Sequence, residues 1–296
     1  MAQVFYDKAA VEVTVEGVSE TLLASDCSIN FNNSLQPLYV IGNKGSLCHT
    51  ASGPRAGDIS FNFITSITGS THGQPGNVIN YLASGLKHSV GSTGSGIIVK
   101  CAGVSGIGFL NSYAFNTVSN SVSTSSASFS FFGGMDGGGH MGLPISGRLS
   151  GTNTNIQGGA AVATGVAHGR FTMIEGLRTT INAPAAGGGD QEGIVYSADY
   201  SISFSHNPIY RVGQEFPELT LYTNASESVN VAEDIFNSGL SYTGVPEDYL
   251  IELRSVQNGA PSQMEVKMIS GVQVSTSVTA GLDDIIRSQK TLTAAY

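Results

Sequence analysis

The chain has 296 residues, of which 41% are hydrophobic and 12% charged, and its net charge is -9. This length fits two domains of ordinary size, but the charged fraction is low for soluble domains, which indicates a secreted β-protein or one that buries surface against copies of itself. An acidic chain with few cations is also poorly suited to tight DNA binding, because phosphate binding depends on clustered lysine and arginine.

In the first half of the chain the pattern predicts strands around one short helix. Residues Gly42 to Gly57 include four glycines and Pro54, which predicts a loop. From Asn77 to Leu86 the apolar residues follow helical spacing behind a capping asparagine, so we expect a helix there. Alternating segments predict strands at Val11–Val15, Cys27–Phe31, Pro37–Ile41, Ile59–Ile64, Ile97–Cys101 and within Phe109–Phe132.

The second half begins after a glycine-rich stretch, residues 133–189, whose composition predicts a linker or irregular loops. We expect a helix near Val231–Leu240 and a short terminal helix at Asp283–Lys290. Strands are predicted at Tyr200–Phe204, Ile209–Val212, Leu219–Tyr222, Tyr249–Leu253 and Val266–Val278.

An internal repeat relates the two halves. Ser25–Gly42 reappears as Ala198–Gly213, with Asp, Ser, Ile, Phe, Asn, Pro, Tyr and Gly in the same order. Two further pairs of segments match in the same order, namely Val13–Val18 with Phe171–Leu177 and Asn77–Leu86 with Asn230–Leu240. The repeat predicts one module used twice.

The predicted organisation is therefore a first module at residues 1–135, a Gly-rich linker at 136–168 and a second module at 169–296. The predicted fold class is mainly β, with one short helix per module and two tandem modules of β-barrel or sandwich type. The first copy has an extra loop, beginning at Asn43, that the second copy lacks. This difference indicates that the two copies share a scaffold but make different contacts.

The reactive side chains form no recognisable site. The six histidines have no metal-ligand spacing, and the acidic pairs are adjacent residues that point apart. GVSGIG at Gly103–Gly108 has the wrong glycine spacing for a nucleophile elbow and predicts a turn. We find no phosphate-binding glycine loop. The sequence thus predicts no enzyme, no catalytic or metal-binding residue and no cofactor.

The cysteines and the amino-terminal segment bear on where the protein is made. Cys27, Cys48 and Cys101 are an odd number without a CxxC spacing, so we expect buried, reduced thiols. The first residues lack the basic start and apolar run of a signal peptide, and no stretch reaches the roughly 20 apolar residues of a membrane helix. We expect a soluble protein made in a cytoplasm.

Two segments of the first half are similar to parts of one known family. SINFNNSLQPLYVIGNKG starts at Ser28 and is followed by Gly53–Arg55, and GFLNSYAFNTVSNSVSTSSASFSF starts at Gly108. With these segments, residues 10–132 resemble the tail tube family of long-tailed bacteriophages. The first segment is similar to the strand, loop and return strand of tube subunits, and the second is similar to the terminal strand of that family. The second half joins the resemblance through the internal repeat.

The resemblance implies a structural virion protein of the tail, assembled in the host cytoplasm, in which six modules form a ring and rings stack around a channel for double-stranded DNA. Two modules per chain then give a pseudo-sixfold trimer, although a six-chain ring with the second module outside stays open. Other implied partners are sheath, tape-measure, baseplate and terminator proteins. The implied contact loop between subunits comprises Asn43, Lys44, Gly45, Gly53, Pro54 and Arg55.

Two other interpretations remain open. A tail hub or adaptor also uses paired tube-like modules in threes, and it differs from a tube because it does not polymerise. A Ser/Gly-rich adhesin or carbohydrate-binding protein is the alternative from another class. It is less favoured because the chain has no tryptophan and most of its aromatic residues lie inside strand patterns.

Overall fold

The computed structural model describes the chain in fifteen stretches, and its secondary structure there is mainly antiparallel β. These stretches are residues 11–32, 35–42, 44–51, 56–65, 70–71, 74–75, 77–90, 97–101, 104–118, 123–132, 194–212, 217–234, 246–257, 260–279 and 287–296. We call residues 11–132 the first half and residues 194–296 the second half. The predicted linker, 136–168, and the match at Phe171–Leu177 lie outside the described residues.

The described residues of the first half form eleven strands and the helix α1 (Val78–Leu86). The strands are β1 (Val11–Val15), β2 (Val18–Leu22), β3 (Ala24–Asn32), β4 (Leu35–Tyr39), β5 (Ser46–Ala51), β6 (Ala56–Ile64), β7 (Ser70–Thr71), β8 (Gln74–Pro75), β9 (Ile97–Cys101), β10 (Val104–Val118) and β11 (Thr124–Phe131). In the second half the strands are β12 (Ile194–Ile209), β13 (Leu219–Asp234), β14 (Glu247–Gln257), β15 (Ala260–Thr279) and β16 (Arg287–Ala295).

Twelve of these strands form one sheet that runs through both halves. Its order is β14-β15-β16-β13-β12-β10-β11-β6-β3, with β9, β1 and β2 branching off from β10. The branch exists because β10 is long: Val104–Gly108 pairs with β9, and the remainder pairs with β11 and β12. The hairpins β4–β5 and β7–β8 form separate two-stranded sheets.

The core lies on one face of the sheet and is a single apolar cluster that includes residues of both halves. Alternation produces it: β6 buries Ile59, Phe61 and Phe63 and exposes the residues between them. The Phe61 ring stacks on Phe129 of β11 at a centroid distance of 6.0 Å. Fully burying each such side chain contributes about 1.5–3 kcal/mol.

The helix α1 closes the core of the first half. Its apolar residues recur every three or four positions, so one face of the helix is buried. Asn77 is the N-cap, and its side-chain oxygen accepts a hydrogen bond from the Asn80 N–H at 2.8 Å. The Val78 N–H donates to the Glu20 carboxylate at 2.7 Å, and burial raises the pKa of Glu20. The predicted helix and its cap are confirmed.

The helix predicted near Val231–Leu240 is wrong where the structure describes it. Val231–Asp234 belongs to β13, which hydrogen-bonds to β12 on one side and to β16 on the other. These two neighbours satisfy the backbone groups that a helix would satisfy internally. Arg287–Lys290 lies in β16, so the predicted terminal helix is wrong there too. The statement of one helix per module therefore fails in the described part of the second half.

Two segments predicted as loop or turn contain strands. Within the stretch from Gly42 to Gly57, Ser46–Ala51 forms β5 and pairs with β4. Val104–Gly108, the second part of the GVSGIG segment, is the start of β10. Gly106 and Gly108 are required there because a Cβ on either would lie 2.8 or 2.9 Å from carbon atoms of the Phe131 ring.

The prediction of three buried, reduced cysteines is also wrong. Cys27 of β3 and Cys101 of β9 form a disulfide, and Cys48 is exposed in β5. The paired residues are 74 positions apart, so their spacing carries no local signature. The fold brings them together, because Cys101 belongs to the apolar cluster and Cys27 packs against it.

Candidate functional site

The face of the sheet opposite the core carries rows of small polar side chains. Residues that pair across neighbouring strands share a face, and three such rows cross the sheet. The first row consists of serines from six adjacent strands, namely Ser28, Ser60, Ser128, Ser112, Ser203 and Ser226. The second is Asp26, Asn62, Ser126, Ala114, Ser201, Ser228 and Thr293, and the third is Thr124, Asn116, Asp199, Asn230 and Thr291. We call these three rows the polar face.

Hydrogen bonds between neighbouring strands hold the polar face together. The Asn62 amide donates to both carboxylate oxygens of Asp26, at 2.9 and 3.0 Å. The hydroxyls of Ser112 and Ser128 are 2.8 Å apart. The polar face thus presents short side chains whose hydrogen-bonding groups are partly satisfied within the sheet.

The polar face is concave. A depression of about 410 Å³ on this face is lined by residues of six neighbouring strands, from Asp26 on β3 to Asn230 on β13. A flat sheet of that width would not enclose a common depression. The polar face is therefore concave where these six strands line the depression.

The charges on the polar face are acidic. Asp26 and Asp199 are the ionisable residues in its three rows, and both are exposed. Arg287, at the start of β16, lies at the margin of the face and pairs across strands with Asp234. The rows themselves thus offer hydroxyls, amides and carboxylates, and no cation that would bind a phosphate.

A buried ion pair joins the two halves behind the polar face. Lys87, which follows α1, lies with its ammonium 3.1 Å from the Glu227 carboxylate on β13, and both side chains are nearly inaccessible. The Tyr200 and Tyr296 hydroxyls donate to the same carboxylate at 2.7 and 2.6 Å, and Lys87 also donates to the Lys267 carbonyl. Burial lowers the pKa of Lys87 against the opposing effect of Glu227, and burial raises the pKa of Tyr200.

A second polar contact between the halves surrounds His206 of β12. Its Nε2 atom lies 2.8 Å from the Leu110 carbonyl, to which it donates, and its ring packs on Tyr222 at a centroid distance of 4.8 Å. The Leu110 N–H donates to the Tyr222 hydroxyl at 3.0 Å. Burial lowers the pKa of His206 and raises that of Tyr222.

The residues predicted for the contact loop are only partly described. Lys44 and Gly45 are exposed in the turn between β4 and β5, apart from the polar face. Asn43, Gly53, Pro54 and Arg55 lie outside the described residues. The loop thus stays a prediction, and sequence reasoning missed the polar face. Its signal was the serine alternation in segments such as TSSASFSF, which predicted strands without showing which serines align.

Metal ligands and membrane-spanning helices are further features that would indicate a function. Among the described residues, no group of three or more His, Cys, Asp or Glu side chains is placed to hold a metal ion. No helix there is long and apolar enough to cross a membrane. Neither a scan of the sequence against protein-family models nor a search of curated proteins gives a match.

Proposed function

We propose that this protein is a structural subunit of a phage-type tail tube, whose chains associate into stacked rings around a channel that conducts double-stranded DNA. The observation that carries the proposal is the concave polar face, in which serine, threonine, asparagine and aspartate cross six or more strands. In this proposal the polar face lines the channel, and the two halves are the tandem tube modules that the sequence predicts.

The chemistry of the polar face suits a conduit. DNA carries one phosphate charge per roughly 1.7 Å of its axis, and each lysine or arginine that neutralises a phosphate adds affinity. Asp26 and Asp199 repel phosphates, while short hydroxyls and amides keep the wall hydrated. A wall of this kind lets DNA slide past without binding it, which a DNA-binding protein could not do.

The hydrogen bonds of the sheet support the same role. A tube must keep its diameter while DNA passes, so its wall has to be stiff. Cross-strand contacts such as Asn62 with Asp26 and Ser112 with Ser128 stiffen the wall on the channel side. The apolar cluster and the Lys87–Glu227 pair stiffen it from behind.

The test is negative-stain electron microscopy of the purified protein over a range of concentrations, with rotational averaging of end-on views. We expect stacked rings with a central hole and threefold or sixfold symmetry, and no retention of added DNA at physiological salt. Closed rings that never stack would indicate a tail hub in place of a tail tube. Monomers at all concentrations would overturn the proposal and favour an adhesin.

A further inference from the structure

The second half repeats the strand order of the first. Starting from β3, the first half runs β3–β6–β11–β10–β9, and starting from β12, the second runs β12–β13–β16–β15–β14. The register repeats as well, since Asp26 pairs with Asn62 as Asp199 pairs with Asn230. Strand β3 therefore corresponds to β12, and β10 corresponds to β15.

Among the described strands, β10 and β12 form the junction between these two sets. Asn116 pairs there with Asp199 and donates a side-chain hydrogen bond to it. On the core side, the Phe115 ring stacks on Tyr200 at a centroid distance of 5.0 Å, and both are buried. This internal junction shows how the end of one strand set joins the beginning of the next.

The strands that correspond to β10 and β12 have open edges. In the part of the chain that the structure describes, β3 pairs with β6 alone, and Val272–Thr279 of β15 pairs with β16 alone. Their core-facing side chains are incompletely covered: Val278 is 43% exposed, and Cys27 and Ile29 are half-buried. At the internal junction the corresponding positions are all buried. Open edges of this length are a hazard for a free protein and are normally covered or paired.

We propose that β15 of one chain pairs antiparallel with β3 of a second copy, as β10 pairs with β12 within a chain. Transferring the internal register places Ser275 opposite Ser28, Thr276 opposite Cys27 and Ser277 opposite Asp26 of that copy. The contact is heterologous, because each chain offers a different edge to each neighbour. The inference deepens the proposed function and rests on it for the closure of the contacts into a ring.

The side chains at this junction complement each other. Ser277 takes the place of Asn116, so its hydroxyl faces the Asp26 carboxylate as the Asn116 amide faces Asp199. Ser275, which pairs with Thr291 of the third row, meets Ser28 on the polar face and so joins the third row of one chain to the serine row of the next. On the core side, Val278 loses its contact with water. Pairing thus supplies backbone hydrogen bonds, continues the polar face and covers the half-buried side chains.

Disulfide trapping tests the register. In a Cys48→Ser background, Ser277→Cys combined with Asp26→Cys should yield covalent oligomers after mild oxidation, seen as a ladder on a non-reducing gel. Ser277→Cys combined with Asn30→Cys shifts the partner by four residues, roughly 13 Å along a strand, and should stay monomeric. Mixing the two single variants Ser277→Cys and Asp26→Cys should give covalent dimers only.

The internal junction supplies the positive control. Asn116→Cys combined with Asp199→Cys should form a disulfide within one chain and no oligomers. If rings appear by electron microscopy while the Ser277–Asp26 pair gives no ladder, the register is overturned and the proposed function stands. A ladder without stacked rings supports the strand pairing and overturns the proposal of a tail tube. If neither a ladder nor rings appear, both the strand pairing and the proposed function are overturned.

A blocking variant tests the edge without introducing cysteine. Val278→Lys puts a charge on the core side of the open edge, where it is tolerated in the free chain because the position is 43% exposed. We expect it to raise the concentration needed for assembly about tenfold or more. Val212→Lys, at a fully exposed site, is the matched control and should assemble normally. Normal assembly of Val278→Lys would overturn the proposed edge.

Discussion

Where β6 of the first half places Ile59 in the core, β13 of the second half places Glu227. The two residues occupy equivalent positions, because Ile59 pairs with Ile29 as Glu227 pairs with Ile202. A similar exchange puts the buried Gln273 at the position that Tyr113 holds in the first half. The strand order and register are thus kept while these two interior positions change to a carboxylate and an amide.

This difference shows that the second half depends on the first. A buried carboxylate costs several kcal/mol unless it is paired and hydrogen-bonded. The partner of Glu227 is Lys87, which belongs to the helix side of the first half, and Tyr200 donates a further hydrogen bond. Ile59, at the equivalent position of the first half, needs no charged partner, whereas the cation that pairs with Glu227 comes from the first half.

The largest expected effect follows from removing one side of the buried pair. Glu227→Ala leaves Lys87 buried without its carboxylate, and we expect the free energy of unfolding to fall by about 3–5 kcal/mol. Glu227→Ile combined with Lys87→Met removes both charges and should recover part of that loss, because the Tyr200 and Tyr296 hydroxyls still lose their acceptor. Urea-induced unfolding monitored by circular dichroism measures both.

The exposed pair of Lys100 and Glu12, at 3.2 Å, provides the control for this prediction. Glu12→Ala should change the free energy of unfolding by less than about 1 kcal/mol, because water screens the pair. If Glu227→Ala costs no more than Glu12→Ala, the second half does not depend on Lys87 and the contrast between the halves is lost.

The same contrast explains what the sequence could predict. The helix α1 was predictable because its apolar spacing and the cap Asn77 are local features. The segment that begins at Asn230 has a sequence similar to that of α1, but its described part forms a strand. The reason is that β12 and β16 supply hydrogen bonds that a local sequence pattern does not record. The serine rows and the Cys27–Cys101 disulfide need strand register, which alternation within one strand does not contain.

A smaller effect concerns the close packing of the first-half core. Gly108→Ala would push a methyl group into the Phe131 ring, which lies 2.9 Å from the ideal Cβ position, and we expect a loss of about 1–3 kcal/mol. Gly85→Ala, inside α1 with no atom within 4 Å of the new Cβ, should instead stabilise the protein by up to about 1 kcal/mol. If the Phe131 ring requires a glycine at this position, urea unfolding should show that Gly108→Ala lowers the free energy of unfolding and Gly85→Ala raises it. A gain in both would show that the strand accommodates the methyl group.

The smallest effect is a pH dependence at the contact between the halves. Burial holds the pKa of His206 below its usual 6.5, so below that pH the unfolded chain binds a proton that the folded chain resists. Stability should therefore fall as the pH is lowered from 7.5 to 5. His206→Gln keeps a side-chain N–H for the Leu110 carbonyl and removes the titration, so its urea midpoint should fall less over the same range. His49→Gln changes an exposed histidine and should follow the wild type, because carboxylates titrate equally in both. An identical pH dependence in all three proteins would mean that His206 is protonated in the folded protein as readily as in the unfolded one.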